Sequence, residues 1–150
     1  MLEIERKFLV NKELWNEVPK PTPFRIQQSY LSNDPNSTVR VRLKNEKAYL
    51  TIKSKTIGIS RKEFEYEIPF SDAEAMIQGL ANKTISKKRY EIIHEKHTWE
   101  VDVFEGKLTG LVIAEIELSH KNESFNLPNW VEKEVSDDPQ YFNSKLIEKC

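Results

Sequence analysis

The feature that most restricts the fold of this chain is the alternation of ionisable and apolar residues along most of its length. Successive side chains of a β-strand point to opposite faces, so a period of two is typical of strands. We predict strands in eight such runs, at residues 2–10, 24–32, 38–44, 47–55, 60–69, 84–95, 98–104 and 111–119. Short links between the runs, such as Asn45-Glu46, predict that neighbouring strands are antiparallel.

One face of the predicted sheet is almost entirely ionisable, beginning with Glu3, Glu5 and Lys7 on the first strand. On the later strands the ionisable residues of this parity include Arg40, Arg42, Lys53, Arg61, Glu63, Glu65, Lys87, Arg89, Glu100, Asp102, Glu115 and Glu117. A face turned to bulk water would explain the charged residues of any single strand. Such a face, however, normally mixes Thr, Ser, Gln and Asn with charged residues. The near absence of neutral residues favours an enclosed charged face.

Like charges are segregated by strand on this face. Arg40 and Arg42 share one strand, whereas Glu115 and Glu117 share another. Neighbouring like charges repel each other, so the arrangement favours a ligand that compensates both signs. If the sheet closes with this face inward, the basic residues can bind phosphate oxygens while the carboxylates hold Mg²⁺ or Mn²⁺. The pattern therefore predicts a closed barrel that binds a metal-bound polyphosphate.

Three helical segments interrupt the strands. Residues 72–80 are predicted to be helical, with Ser71 as the N-cap and Glu74 as its capping-box partner. A second helix is predicted near residues 12–18, and a third from Asp138-Pro139, with the aspartate as its N-cap. We expect an α+β protein that is mostly antiparallel β, an eight-stranded closed β-barrel with a few flanking helices.

Length and composition exclude several kinds of partner. A chain of 150 residues predicts a single domain over residues 1–150. Its 23 basic and 24 acidic residues nearly cancel, so no broad basic field is available to bind nucleic acid. The only cysteine is Cys150, and no apolar run is long enough for a signal peptide or a membrane span. We expect a cytoplasmic protein with neither a nucleic-acid nor a membrane partner.

The motifs on these strands, taken in order, resemble those of the CYTH superfamily, also called triphosphate tunnel metalloenzymes. The diagnostic E-x-E-x-K start stands at residues 3–7. The later motifs are Gln28-Ser29-Tyr30-Leu31, Arg40-Val41-Arg42, Thr51-Ile52-Lys53, Arg61-Lys62-Glu63-Phe64-Glu65, Lys87-Lys88-Arg89-Tyr90, Asp102-Val103-Phe104-Glu105-Gly106 and Glu115-Ile116-Glu117. The resemblance covers nearly the whole chain and implies an eight-stranded antiparallel tunnel with a charged lumen, in which a triphosphate is hydrolysed with divalent metal ions.

The resemblance also implies roles for individual residues. The triphosphate would be bound by Lys7, Arg40, Arg42, Lys53, Arg61, Lys87 and Arg89. The Mg²⁺ or Mn²⁺ ions and their waters would be held by Glu3, Glu5, Glu63, Glu65, Glu115 and Glu117. Tyr30 and Lys53 resemble the catalytic Tyr/Lys pair of short bacterial members, and which of them handles the proton stays open. Ser119 replaces the third glutamate of an E-x-E-x-E motif, so the number of metal ions stays open as well.

Several reactions are known for the lumen that this resemblance implies. They are hydrolysis of inorganic triphosphate, hydrolysis of thiamine or nucleoside triphosphates, and cyclisation of ATP by a class IV adenylate cyclase. We expect hydrolysis of inorganic triphosphate to pyrophosphate and phosphate, because the motifs account for a bare polyanion and no adenine or thiazole pocket is evident. A noncatalytic module that binds polyphosphate or nucleotides is the alternative from another class.

Some residues are expected to lie outside the site. Glu67, Lys44, Lys55 and Glu91 share the ionisable parity but are expected to face solvent. Trp15, Trp99 and Trp130 are expected to be packing anchors, since no basic-aromatic alternation surrounds them. The apolar outer face of the barrel must be covered by helices or by a second subunit, which leaves room for a homodimer.

Overall fold

A computed structural model describes residues 2–150 of the chain. The strands are β1 (Leu2–Val10), β2 (Phe24–Asp34), β3 (Ser37–Lys44), β4 (Lys47–Ser54), β5 (Ser60–Ile68), β6 (Ile85–His94), β7 (His97–Phe104), β8 (Val112–Glu117) and β9 (Val131–Glu134). The α-helices are α1 (Lys12–Asn16), α2 (Phe70–Leu80) and α3 (Asn143–Leu146). Three 3₁₀ turns lie at Gly106–Leu108, Pro139–Tyr141 and Ile147–Lys149.

The sheet closes on itself through β1. Its strand order is β5-β4-β3-β2-β6-β7-β8-β1-β9, and every pairing is antiparallel. The start of β1 pairs with β5, where Glu3 lies opposite Arg61, and residues 5–9 pair with β8. The end of β1 pairs with β9, where Phe8 lies opposite Glu134. The predicted eight-stranded barrel is therefore confirmed. Strand β9 is an additional strand that was not predicted, because four residues are too few to show a clear alternation.

Two tight hairpins hold the alternation in register. Asn45 and Glu95 adopt left-handed backbone conformations, with φ of 53° and 56°, at the β3–β4 and β6–β7 turns. Positive φ matches the twist of antiparallel strands joined by short links, and asparagine tolerates it better than most residues. The Asn45 side chain also accepts a hydrogen bond from the backbone N–H of Arg25 at 2.8 Å. The parity of β3 and β4 is thereby tied to that of β2.

The apolar outer face is covered by helices and by aromatic packing. Ala73 of α2 is buried against Val41 and Ala48 of the sheet. On another side Trp15, Trp99 and Trp130 are buried together with neighbouring aliphatic residues, which confirms their predicted packing role. This packing fixes the outward parity, so the ionisable parity has to face inward.

One part of the outer face stays open, on β5. Phe64 and Tyr66 expose 45% and 56% of their surface. A homodimer that covers them stays a prediction, as does a cytoplasmic location. Among residues 2–150, every helix is too short or too polar to cross a membrane.

The predicted helix boundaries needed correction. Helix α2 begins at Phe70 directly after Pro69, and no side chain caps it, so the prediction that Ser71 is its N-cap was wrong. Proline fixes φ near −65°, which lets the chain turn from β5 into the helix two residues earlier. Helix α1 ends at Asn16, and the side chain of Asn11 caps its first turn by accepting from the N–H of Leu14 at 3.0 Å.

The third predicted helix is broken in two. Asp138 caps the turn Pro139–Tyr141 as predicted, by accepting from the N–H of Gln140 at 3.1 Å. Phe142 then adopts an extended conformation, with φ −69° and ψ 136°, before α3 begins. The break turns the Phe142 ring to the barrel interior, while Leu146 packs into a separate apolar cluster.

Candidate active site

A cavity of about 240 Å³ lies inside the barrel, and ionisable side chains form most of its wall. Of the predicted site residues, it is lined by Glu3, Glu5, Lys7, Tyr30, Arg40, Arg42, Lys53, Arg61, Glu63, Glu65, Arg89, Glu115 and Glu117. Only Lys87 of the predicted set does not reach it. Lys44, which was expected to face solvent, lines the cavity as well, and its Nζ lies 4.3 Å from the centre of the Phe24 ring.

Carboxylates on β1 and β5 hold one lysine between them. The Nζ of Lys53 lies 3.1 Å from carboxylate oxygens of both Glu3 and Glu63. The Nε of Arg61 donates to Glu3 at 3.2 Å. These contacts join β4, β5 and the start of β1 across the point where the barrel closes. Lys53 is therefore fixed in place before any ligand binds.

Weaker pairs lie elsewhere around the lumen. The Nζ of Lys7 is 3.7 Å from Glu115, and Nη2 of Arg40 is 3.7 Å from Glu65. Both distances exceed those of a good charge-assisted hydrogen bond, so a ligand can replace these pairs at modest cost. Arg40 is buried in the wall, whereas Glu65 is partly open to solvent.

The wall formed by β6 and β7 contains a buried charge triad. Arg89 donates to Asp102 from Nε at 2.7 Å and from Nη2 at 2.9 Å, and from Nη1 to Glu100 at 3.2 Å. Lys87 donates to the same Asp102 at 2.6 Å, and the Lys87 side chain has no exposed surface. The sequence placed Lys87 among the phosphate ligands, but Asp102 holds it behind the cavity wall. Burial lowers the pKa of Lys87 to about 7, although Asp102 opposes this.

Arg42 has a different kind of partner. Its Nε and Nη2 both donate to Oε1 of Gln28, at 2.8 and 2.6 Å. Burial and the like charges of Arg40 and Arg89 lower the pKa of Arg42 to about 9. The guanidinium is therefore charged at neutral pH, and the nearby Asp102 offsets the effect of burial and of the like charges only in part.

The carboxylates of β1 and β8 repel one another. Burial, together with the adjacent Glu115 and Glu3, raises the pKa of Glu5 to about 8. Burial and the neighbouring Glu3 likewise raise the pKa of Glu117. Glu5 lies directly opposite Glu117 in the β1–β8 pairing. In contrast, Lys53 and Arg61 overcome the effect of burial and lower the pKa of Glu3 to about 2.

The donor set suits a hard divalent ion that arrives with its phosphate ligand. Within residues 2–150, no three His, Cys, Asp or Glu side chains already converge as a complete metal site. Mg²⁺ typically needs only one or two protein carboxylates, with waters and substrate phosphates as its other ligands. The carboxylates of Glu5 and Glu117, opposite each other in the β1–β8 pairing, meet that requirement. A cation would also relieve the repulsion that Glu115 and Glu3 exert on Glu5.

The sequence as a whole matches the model of the CYTH domain over residues 1–148. This chain belongs to the CYTH family. It is 46% identical over 146 residues to an inorganic triphosphatase of Acetivibrio thermocellus, which covers 97% of this chain and 92% of that relative. It is 32% identical over 155 residues to an inorganic triphosphatase of Nitrosomonas europaea, with 97% of both chains covered.

A solved structure agrees with the family assignment. The crystal structure of the inorganic triphosphatase NE1496 superposes on this CYTH protein with a TM-score of 0.68 and 28% identity. The superposition covers 97% of this chain and 93% of the other. The closed barrel is therefore the fold that a triphosphatase of the same family adopts.

The C-terminal segment of this CYTH protein adds cavity residues that the alternation could not reveal. Ser136, Phe142, Asn143 and Ser144 line the cavity beside Lys7. The Nζ of Lys7 donates to the backbone carbonyl of Tyr141 at 2.9 Å. These residues follow β9 and belong to no alternating run, so the alternation gave no signal for them.

Tyr30 and Lys53 lie on the wall of the same cavity, from β2 and β4. In the part of the chain that the structure describes, no hydrogen bond joins their side chains. Lys53 is held by Glu3 and Glu63 instead.

Proposed function

We propose that this CYTH protein hydrolyses inorganic triphosphate to pyrophosphate and phosphate with the help of Mg²⁺ or Mn²⁺. The observation that carries the proposal is one enclosed cavity with arginines on β3 and carboxylates on β1 and β8. The two inorganic triphosphatases that match nearly the whole chain support it. A cavity of about 240 Å³ suits a compact polyanion better than a substrate with an additional base or ring system.

Binding of the triphosphate would fall to the cations that line the cavity. Arg40 and Arg42 can present paired N–H donors to phosphate oxygens, whereas lysines act as compact charges. Lys7, Lys53, Arg61 and Arg89 complete this set in the proposal. Lys87 is left out of direct binding and is assigned to holding Asp102 and, through it, Arg89.

The metal would be held chiefly by Glu5, Glu115 and Glu117, with Glu3, Glu63 and Glu65 supplying further ligands or holding waters. When bound, Mg²⁺ or Mn²⁺ would neutralise charge on the phosphate oxygens and help to activate the attacking water. Both ions prefer oxygen ligands, which are what these carboxylates offer. A preformed cage would not be needed, because waters and phosphate oxygens would supply the remaining ligands.

In the proposed reaction, water attacks the terminal phosphorus and pyrophosphate leaves. Phosphoryl transfer depends mainly on positioning and on stabilising negative charge as it shifts to the leaving group. Lys53, already fixed by Glu3 and Glu63, is placed to stabilise that charge without reorganising. Tyr30 shares the cavity and is proposed as its catalytic partner.

Phosphate release from tripolyphosphate, ATP and thiamine triphosphate, each with Mg²⁺ and with Mn²⁺, tests the proposal. We expect the highest kcat/KM for tripolyphosphate, with pyrophosphate and phosphate formed in equal amounts. Formation of cyclic AMP from ATP would instead identify a class IV adenylate cyclase. Saturable binding without turnover of any of the three compounds would identify a binding module. The exposed Lys55→Ala variant should retain the activity of the wild type and serves as the matched control.

A further inference from the structure

The partner of Arg42 is a buried glutamine from the neighbouring strand. Gln28 of β2 lies directly opposite Arg42 of β3, and it has no exposed surface. Both Nε and Nη2 of Arg42 donate to the single Oε1 atom, at 2.8 and 2.6 Å. Because arginine can only donate, this contact fixes the amide oxygen towards Arg42 and the amide nitrogen away from it. The guanidinium is thereby held in one orientation on the lumen wall.

A neutral partner sets Arg42 apart from the other predicted phosphate ligands. Each of the others has a carboxylate oxygen within 4.0 Å: Lys7 with Glu115, Arg40 with Glu65, Lys53 with Glu3 and Glu63, Arg61 with Glu3, Lys87 and Arg89 with Asp102. Among residues 2–150, no carboxylate lies within this distance of Arg42. Its charge is therefore the least compensated of the set.

We propose that Gln28 is a positioning residue that orients Arg42 without neutralising it, which makes Arg42 the principal anchor for the triphosphate. The proposal rests on the proposed function and names a residue that determines how strongly that site binds a polyanion. A carboxylate at position 28 could orient the guanidinium equally well, but it would offset the charge and repel the ligand. An apolar side chain would leave the guanidinium without its acceptor. Only a neutral acceptor satisfies both requirements.

Folding stability alone does not account for a glutamine at this position. The Nε2 atom of Gln28 is buried, and within residues 2–150 it has no hydrogen-bond partner. A buried donor that stays unpaired is unfavourable, and a glutamate of similar size would accept from Arg42 without carrying such a donor. The amide oxygen is the part of Gln28 with a defined contact, and that contact is to a residue on the cavity wall.

Two substitutions separate orientation from charge. In Gln28→Glu the acceptor is kept and a negative charge is added, so we expect the KM for tripolyphosphate to rise at least about tenfold. The kcat should fall less than the KM rises, because Arg42 binds the ground state as well as the transition state. In Gln28→Met the volume is kept and the acceptor is lost, so we expect a smaller rise in KM. The melting temperature of Gln28→Glu should equal or exceed that of Gln28→Met.

The pair of Arg25 with Glu105 on the outside of the barrel supplies the matched control. The Glu105→Gln variant changes the charge of an arginine's partner by one unit at a residue that does not line the cavity, so its KM should equal that of the wild type. The proposal is wrong if Gln28→Glu keeps the wild-type KM. It is also wrong if both Gln28 variants show the same rise in KM and the same fall in melting temperature.

Calorimetric titration with tripolyphosphate in EDTA separates this proposal from the proposed function. If the wild type binds tripolyphosphate but does not hydrolyse it with metal, the proposed function fails, and the dissociation constants of the Gln28 variants still decide the role of Gln28. At least about tenfold weaker binding by Gln28→Glu supports that role. Unchanged binding overturns it, even in a fully active enzyme. A wild type that binds no tripolyphosphate overturns both.

Discussion

Strands β3 and β8 form opposite walls of the lumen, and they carry opposite charge. Each is four strands from the other in the closed ring of eight, so their inward side chains face across the cavity. The β3 wall presents Arg40 and Arg42, and the β8 wall presents Glu115 and Glu117. Salt bridges do not span the lumen between these two strands in the described part of the chain. The space between them is left for a ligand.

Both walls are electrostatically unfavourable when they are taken separately. On one side, burial and neighbouring arginines lower the pKa of Arg42 to about 9. On the other side, burial and the neighbouring Glu115 and Glu3 raise the pKa of Glu5, which lies on β1 next to β8, to about 8. A bare polyanion would relieve only the first wall, and a bare cation only the second. The comparison therefore indicates why the proposed substrate is a triphosphate together with its metal ion.

The largest effect on turnover is expected at Lys53, which lies beside the carboxylates where the two walls meet. Lys53→Ala should lower kcat by about 100-fold or more, because it removes a fixed charge that stabilises the transition state. Its effect on the melting temperature should be small in comparison, since Glu3 keeps Arg61 as a partner. Steady-state kinetics and thermal unfolding of this variant test the prediction, with Lys55→Ala as control. Unchanged turnover would remove Lys53 from the chemistry.

A smaller effect is expected when the acidic wall is weakened. Glu117→Gln should raise the Mg²⁺ concentration needed for half-maximal activity by about tenfold, because it removes one of few protein ligands. Activity measured against Mg²⁺ concentration at saturating tripolyphosphate tests this. Glu67→Gln, on the exposed part of β5, is the matched control and should leave the metal requirement unchanged. A shift of equal size in both variants would point to bulk charge and not to ligation.

The buried Glu5, on β1 next to the acidic wall, should limit the stability of the protein at alkaline pH. Glu5 has a pKa raised from 4.5 to about 8, so below pH 4.5 it is protonated in both states and costs no stability. As pH rises towards 8, the unfolded chain releases this proton while the folded protein retains it, and the free energy of unfolding falls. Glu5→Gln should therefore be more stable than the wild type at pH 9, by on the order of 1 kcal/mol after solvent screening. Denaturant unfolding without metal at pH 4.5 and pH 9 measures the difference, which should vanish at the lower pH.

The alternation predicted the barrel because it is a local property of each strand. The predicted boundaries of β1 matched, and those of β3 to β7 agreed within one residue, since turn residues such as Asn45 and Gly58 end the runs. Parity tells which face of the sheet a side chain occupies. It therefore placed Glu5, Arg42 and Glu117 inside the barrel without any knowledge of the tertiary structure.

Parity does not tell how deep along the barrel axis a side chain lies or what it meets there. Lys44 and Lys55 share the inward parity, yet Lys44 reaches the cavity and Lys55 is exposed. The break at Phe142 depends on contacts between segments far apart in sequence. The neutral partner of Arg42 depends on the register between β2 and β3. Such properties require the assembled barrel.

Lys87 shows the consequence of this limit. Of the substitutions considered, Lys87→Met should have the smallest effect on the KM for tripolyphosphate. It has the inward parity of a phosphate ligand, but Asp102 holds it behind the wall. Lys87→Met should lower the melting temperature, because one charge of a buried network loses its partner. Its KM for tripolyphosphate should change by less than about threefold, since Arg89 keeps both hydrogen bonds to Asp102. Kinetics and thermal unfolding, with Lys88→Met on the opposite parity as control, separate the two effects. A KM that rises as much as in Gln28→Glu would show that Lys87 contacts the phosphate after all.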